Sequence, residues 1–174
     1  MSLKALVTFD NVVKRTLHYC PDTGKVLWKE KYSKYSPCSI GTECGGVDSH
    51  GYRRVTLAGK TVFVHHVIWF LHYNEWPTQL DHINRNILDN RIENLRKATK
   101  QQNAANSSKR QNTSSKYKGV TLHKQTNKWQ VSIGTPRKHI GLFMTEQEAA
   151  QAYAKAANHL YGEYAYTNYD SHDD

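Results

Sequence analysis

Asp81 and His82 stand side by side in the chain, with the carboxamides Asn94 and Asn103 following them. A carboxylate, an imidazole and two carboxamides in this order can hold one divalent metal beside one general base. A neutral imidazole suits base work, because its reference pKa of about 6.5 lies near neutral pH. A carboxylate and an amide carbonyl form a hard-oxygen pair, which matches Mg²⁺ or Mn²⁺ better than Zn²⁺. Hydrolysis of a phosphodiester needs that pair of tools: positive charge for the phosphate and a base to deprotonate water. An Asp-His pair alone is common and mostly structural. The full string is far more specific: Asp81-His82-Ile83-Asn84, Asp89-Asn90, Asn94-Leu95-Arg96, then Asn103 and Asn106.

These residues need elements to aim them. On a strand, Asp81 and His82 point to opposite sides, so one can face a metal and the other the attacking water. Thr99 can cap a helix that carries Asn103. Asn94 lies between the two, where its amide can fasten a loop by bonding backbone groups. Upstream, Asp10 or Asn11 is expected to cap a short helix running to Leu17. A turn at Pro21-Asp22-Thr23-Gly24 then leads into a strand at Lys25–Trp28. Two strands, residues 51–57 and 60–64, flank an Ala58-Gly59 hairpin turn. Residues 65–72 have the apolar density of a buried helix ending before Trp76-Pro77.

Residues 107–116 contain no large apolar side chain and read as a basic linker. Beyond it, strands are expected at 117–124, 128–133 and 139–143. A helix follows from Thr145, with Glu148 completing a capping box and Gly162 ending it. Its stripe of Ala149, Tyr153, Ala156 and Leu160, with Ala150 and Ala157 beside it, implies close packing on the sheet. Trp129, Val131 and Ile133 would face that helix, leaving Lys128, Gln130 and Ser132 outward.

The chain has 174 residues and a formal net charge of +9, and the distribution of that charge is its telling feature. Asn94 to Thr145 contains no Asp or Glu, yet it carries Arg96, Lys97, Lys100, Lys109, Arg110, Lys116, Lys118, Lys124, Lys128, Arg137 and Lys138. An acid-free run of this length points to a polyanionic partner, since each phosphate contact releases condensed counterions. Cys20, Cys38 and Cys44 include no Cys-x-x-Cys pair, which argues against a disulfide framework and a zinc ribbon. No apolar run approaches the roughly 20 residues of a membrane span, and the Met-Ser-Leu-Lys start lacks a signal-peptide core. A soluble, cytoplasmic protein without a membrane partner is expected.

The Asp-His string, preceded by Val64-His65-His66-Val67-Ile68-Trp69, resembles the HNH endonucleases, in particular the phage-type homing enzymes, over roughly residues 8–107. The resemblance implies a ββα-metal fold with the Asp-His pair on the first strand and the last Asn on the helix. Asp81 and Asn103 would then ligate one Mg²⁺ or Mn²⁺ per active site. His82 would be the general base, and Asn94 would orient the catalytic loop. Zinc-binding members carry Cys-x-x-Cys pairs around this core, and this chain has none. Where other members place a second metal-binding His, this chain has Asn103. His65 matches a His that often precedes the buried helix of this family, where a structural role is the expectation.

A second resemblance covers about residues 115–169. Tyr117-Lys118-Gly119-Val120, Lys128-Trp129, Ile140-Gly141-Leu142-Phe143 and Thr145-x-x-Glu148-Ala149-Ala150 are similar to the plant ethylene-response-factor type DNA-binding domain. That family lays its exposed sheet face in the major groove. The likeness implies DNA contacts at Lys118, Thr121, His123, Gln130, Ser132, Arg137 and His139. Arg53, Arg54, Lys109 and Arg110 are further candidate DNA contacts. Arginines on the sheet face are fewer than in the plant proteins, which shifts the weight from guanine readout to phosphate contacts.

The expected class is α+β: a ββα-metal nuclease module followed by a three-stranded antiparallel sheet packed on one helix. The expected division is 1–106 nuclease, 107–116 linker, 117–169 DNA-binding domain and 170–174 tail. The expected function is metal-dependent hydrolysis of double-stranded DNA by a monomer or a homodimer on DNA. The alternatives are a non-cleaving DNA-binding regulator that keeps the nuclease fold and a protein that binds or cuts RNA. The sequence leaves open the choice between a nick and a double-strand break.

Overall fold

The computed structural model describes residues 8–31, 33–34, 38–109 and 111–169. It is a mixed α/β chain with four small antiparallel sheets among the described residues. Backbone contacts divide it into two compact units, 1–82 with 86–97, and 83–85 with 98–174.

In the first unit, α1 (Phe9–Thr16) leads directly into β1 (Leu17–Cys20), which pairs with β2 (Lys25–Trp28). The cap of α1 is Thr8, whose hydroxyl accepts from the Asn11 N–H, rather than Asp10 or Asn11 themselves. Asp10 is instead the acceptor for the Trp76 indole N–H at 2.9 Å. β1 was not foreseen, because no glycine or proline marks the break between α1 and the strand. A second sheet joins β3 (Gly46–Val47), β4 (Arg53–Leu57) and β5 (Lys60–Phe63). The β4–β5 hairpin turns at Ala58-Gly59, both at positive φ, as a tight primed turn requires.

Helix α2 (Val64–Tyr73) follows without a gap and is the centre of the unit. Its Val64, Val67, Ile68, Trp69 and Phe70 are buried with Val13, Val26, Val55 and Leu57. A helix this apolar must be covered on several sides, and its exposed residues, His72 and Tyr73, lie at its C-terminal end. Leu80 and Leu95 extend the same core. They also anchor the hairpin of β6 (Leu80–His82) and β7 (Leu95–Lys97), in register Leu80↔Lys97, Asp81↔Arg96 and His82↔Leu95.

The second unit begins with α3 (Lys100–Asn106), capped by a full box between Thr99 and Gln102. The sequence placed α3 in the nuclease module, whereas its backbone contacts group it with the C-terminal unit. β8 (Val120–His123), β9 (Lys128–Ile133) and β10 (Lys138–Phe143) form a sheet in the order β10-β9-β8. It packs on α4 (Glu146–Tyr161), which has the expected capping box of Thr145 and Glu148. Val120, Val131 and Ile133 meet Ala149, Tyr153 and Ala157 in a small core, with Trp129 packed at its side.

The chain over 117–119 is a turn rather than strand. Gly119 sits there at φ +75°, and a Cβ would lie 2.1 Å from the Tyr153 ring. Only glycine lets sheet and helix approach so closely. Leu160, expected in the buried stripe, is 54 % exposed because the helix turns it away from the sheet. Ser115, expected in the linker, is buried with its hydroxyl donating to Glu146 at 2.7 Å.

Candidate active site and nucleic-acid face

β6 is buried along its whole length, so Asp81 and His82 are 3 % and 5 % exposed. Polar groups so enclosed must be partnered. Arg96, directly across the hairpin, meets Asp81 Oδ2 through Nε at 2.9 Å and Nη2 at 2.8 Å. In the sequence Arg96 is counted only among the cations of the acid-free run that points to a polyanionic partner. The register aims it at Asp81 instead.

His82 Nε2 lies 3.0 Å from Asn90 Oδ1. A carboxamide oxygen only accepts, so Nε2 carries the proton and the lone pair resides on Nδ1. Burial pulls the His82 pKa down, and the Asn90 bond with the charges of Asp81 and Asp89 opposes it only in part. The imidazole is therefore neutral at neutral pH. The His65 ring stands edge-on to it at 5.0 Å and 77°. His65 is buried, and desolvation with its neighbours His82 and His66 pushes its pKa down to about 2. It also stacks on Phe63 at 5.0 Å. Burial likewise lowers the pKa of His66.

The loop holding Asn90 is tied from several directions. Asn94 Nδ2 donates to the Asp89 carbonyl at 2.7 Å, the loop-fastening bond its position suggested. The Tyr19 hydroxyl accepts from the Ile92 N–H at 2.9 Å. Gly24, at φ +67° in the β1–β2 turn, presses against the same loop: a Cβ there would sit 2.6 Å from the Arg91 nitrogen. The N-terminal hairpin thus supports the partner of His82.

Asn103 lies on α3 in the second unit and is half-buried. The candidate ligands are oxygen donors throughout. A carboxylate offers about four lone-pair sites, and Arg96 engages Asp81 at Oδ2. Cys44 is fully buried with its thiol pushed up to about 12, so it stays protonated. Among the described residues no three His, Cys, Asp or Glu side chains are grouped to hold a metal. Asp81 and Asn103, the ligands expected from the sequence, offer a carboxylate and an amide oxygen, donor types that suit a hard divalent ion.

Of the cationic contacts expected at DNA, several are engaged within their own unit. Arg53 pairs with Glu43 at 3.2 Å and bonds the Gly45 carbonyl. Arg54 pairs with Asp48 at 2.7 Å and lies over the Phe63 ring. Lys118 lies off the sheet, with Nζ donating to the Ala104, Ala105 and Ser107 carbonyls at 2.9, 2.7 and 2.6 Å. Arg110 lies outside the described residues, and Lys109 lines a cleft of about 520 Å³ together with Arg137 and Ser132.

The sheet face itself is as expected. Pairings Thr121↔Gln130, His123↔Lys128 and His139↔Ser132 put those six side chains on the side away from α4. Leu142, paired with Gln130 and 43 % exposed, shares that face and was not foreseen as part of it. A glance at the alternation of β10 would have found it, had the irregularity between His139 and Gly141 been readable.

Residues 62–105, which contain the β6–β7 hairpin and all of α3 but its last residue, match the HNH endonuclease family model. A protein named as an uncharacterized HNH endonuclease of Acanthamoeba polyphaga mimivirus is 42 % identical over 90 residues, covering 51 % of this chain and 46 % of that protein. The AP2-like ethylene-responsive transcription factor ANT of Arabidopsis thaliana is 36 % identical over 87 residues, 45 % of this chain and 16 % of that protein. APETALA2-like protein 2 of Oryza sativa subsp. japonica is 48 % identical over 61 residues, 33 % of this chain and 14 % of that protein. The chain therefore spans less than half the length of these relatives. No solved structure matches. The sequence combines likeness to HNH endonucleases with likeness to AP2-like transcription factors.

Proposed function

We propose that the protein is a DNA endonuclease of the HNH homing type, dependent on one Mg²⁺ or Mn²⁺ per active site. The observation that carries this reading is the buried, neutral His82, its tautomer set by Asn90, beside the Asp81–Arg96 pair in the segment that matches the HNH endonucleases.

His82 Nδ1 takes a proton from water, and the water oxygen bonds to phosphorus as the bond to the 3′ oxygen breaks. Asn90 holds the ring and stabilises the imidazolium that forms, as an acceptor on the far nitrogen. Asn94 keeps the loop in place through Asp89. Arg96 fixes the carboxylate of Asp81 against rotation. A divalent ion held by Asp81 and Asn103 would supply the positive charge that a phosphoryl transition state demands. On this reading the ββα-metal arrangement is β6, β7 and α3, and the module 1–106 cuts while 117–169 binds duplex DNA. The outer sheet face contributes Thr121, His123, Gln130, Ser132 and His139 to the groove, with Arg137 on phosphate.

The test is supercoiled plasmid incubated with Mg²⁺, with and without EDTA. Open-circular or linear product that appears only with the metal is expected. Intact plasmid in both, with duplex still bound, would leave a non-cleaving regulator as the function. Preferential loss of RNA over duplex DNA would replace the substrate.

A further inference from the structure

We propose that Lys118 is a positioning residue that clamps the C-terminal end of α3, and with it Asn103, to the C-terminal sheet. The catalytic half of this proposal rests on the reading of Asn103 as a metal ligand.

α3 is seven residues long. Isolated helices of that length do not hold together in water, so its order must come from tertiary contacts. Its last carbonyls meet no N–H donors within the helix itself, and a cation there is favoured by both hydrogen bonding and the helix dipole. Lys118 supplies that cation, with its ammonium on the carbonyls of Ala104, Ala105 and Ser107 and 3.3 Å from the Ser107 hydroxyl.

The lysine is in turn held by its backbone. Its N–H donates to Asn168 Oδ1 at 2.7 Å, and its carbonyl accepts from Asn168 Nδ2 at 3.3 Å. The next residue is Gly119, packed on Tyr153 of α4. Tyr166, itself buried, donates its N–H to the Ala105 carbonyl at 3.3 Å, and its ring lies 5.6 Å from the Lys118 ammonium. The Arg85 guanidinium covers that ring at 4.6 Å. Asn106 closes the end of the helix by donating to the Ile83 carbonyl at 3.4 Å. The contacts therefore run α4, Gly119, Lys118, α3. A lysine that the likeness to the plant domains would put at DNA has its charge committed to the protein instead. Its consequence is functional: seating of the sheet on DNA fixes the helix that carries Asn103.

The experiment compares the full-length wild type, Lys118→Met and Lys118→Arg. Hydrogen exchange over residues 98–107 reads the clamp without any cleavage. Lys118→Met should speed exchange of the α3 amides at least about tenfold, the scale of one charge-assisted hydrogen bond. The α4 amides should stay at wild-type rates, and Lys118→Arg should restore most of the α3 protection. In cleavage assays Lys118→Met should bind duplex as the wild type does, yet need a higher Mg²⁺ concentration for half-maximal rate. Unchanged α3 exchange would overturn the proposal, as would equal loosening of α3 and α4. Loss of duplex affinity with an unchanged Mg²⁺ requirement would also overturn it and make Lys118 a DNA contact. A wild type that cuts nothing defeats the nuclease reading alone, because the exchange result stands without it.

Discussion

The β6–β7 hairpin and the C-terminal sheet both display polar side chains, but one hides them and the other offers them to solvent. Asp81, His82, Asn90 and Asn94 are each 6 % exposed or less and are bonded to protein groups. Thr121, His123, Lys128, Gln130, Ser132 and His139 are half-buried or exposed on the side of the sheet away from α4. Burial fixes direction and protonation state, which chemistry requires. An open face keeps its donors and acceptors available to another molecule. On the proposed function the two regions divide the labour of catalysis and recognition, and substitutions should fail in different ways in each.

The sharpest break is at Arg96. Arg96→Met leaves Asp81 buried without its partner, which should cost about 3–5 kcal/mol. Urea unfolding measures it, and a loss below about 1 kcal/mol would mean the pair is not the internal clamp the hairpin suggests.

Acid should act on the same region next. In the unfolded chain His65 and His82 titrate near the ordinary imidazole value of about 6.5, whereas burial holds both below it when folded. As pH falls from 7 to 5 the unfolded chain takes up protons that the folded one refuses. Stability falls: below about pH 6.5 the His65 share approaches about 1.4 kcal/mol per pH unit, and His82 adds to the fall in the same direction. His66, Asp81 and Asp89 are the titratable groups that face them. His65→Phe should remove one histidine's share of the slope. A slope identical to that of the wild type would place that histidine's protonation elsewhere.

The sheet should respond least in stability. Arg137→Ala, at an exposed turn, should move stability by no more than about 0.5 kcal/mol. It should weaken duplex binding and lower the salt slope by about one unit, as the loss of one phosphate contact does. Fluorescence anisotropy at several salt concentrations checks this. A slower rate at saturating DNA would erase the contrast between the regions.

Much of this layout was legible in the chain. The Thr99 cap, the Thr145-Glu148 box, the Ala58-Gly59 turn and the apolar density of 65–72 are local signals, and the elements formed around them, the buried helix extending one residue further at each end. The partners of the site were not legible. Arg96 finds Asp81 through strand register, and Asn90 finds His82 across a loop of irregular backbone. Neither is a periodic pattern, so neither shows until the hairpin is built. Lys118 was misplaced for a related reason: a positive-φ glycine delays the strand, and the side chain turns to α3. Counting charge along the chain could not separate cations spent inside the protein from those left for a phosphate.

The central claim is that His82 performs the chemistry and the sheet face does not. His82→Ala should be compared with wild type by gel shift on duplex DNA and by single-turnover cleavage with Mg²⁺ at saturating enzyme. Equal duplex affinity with a cleavage rate lower by on the order of a hundredfold or more is the result this account predicts. Undiminished cleavage by His82→Ala would contradict it.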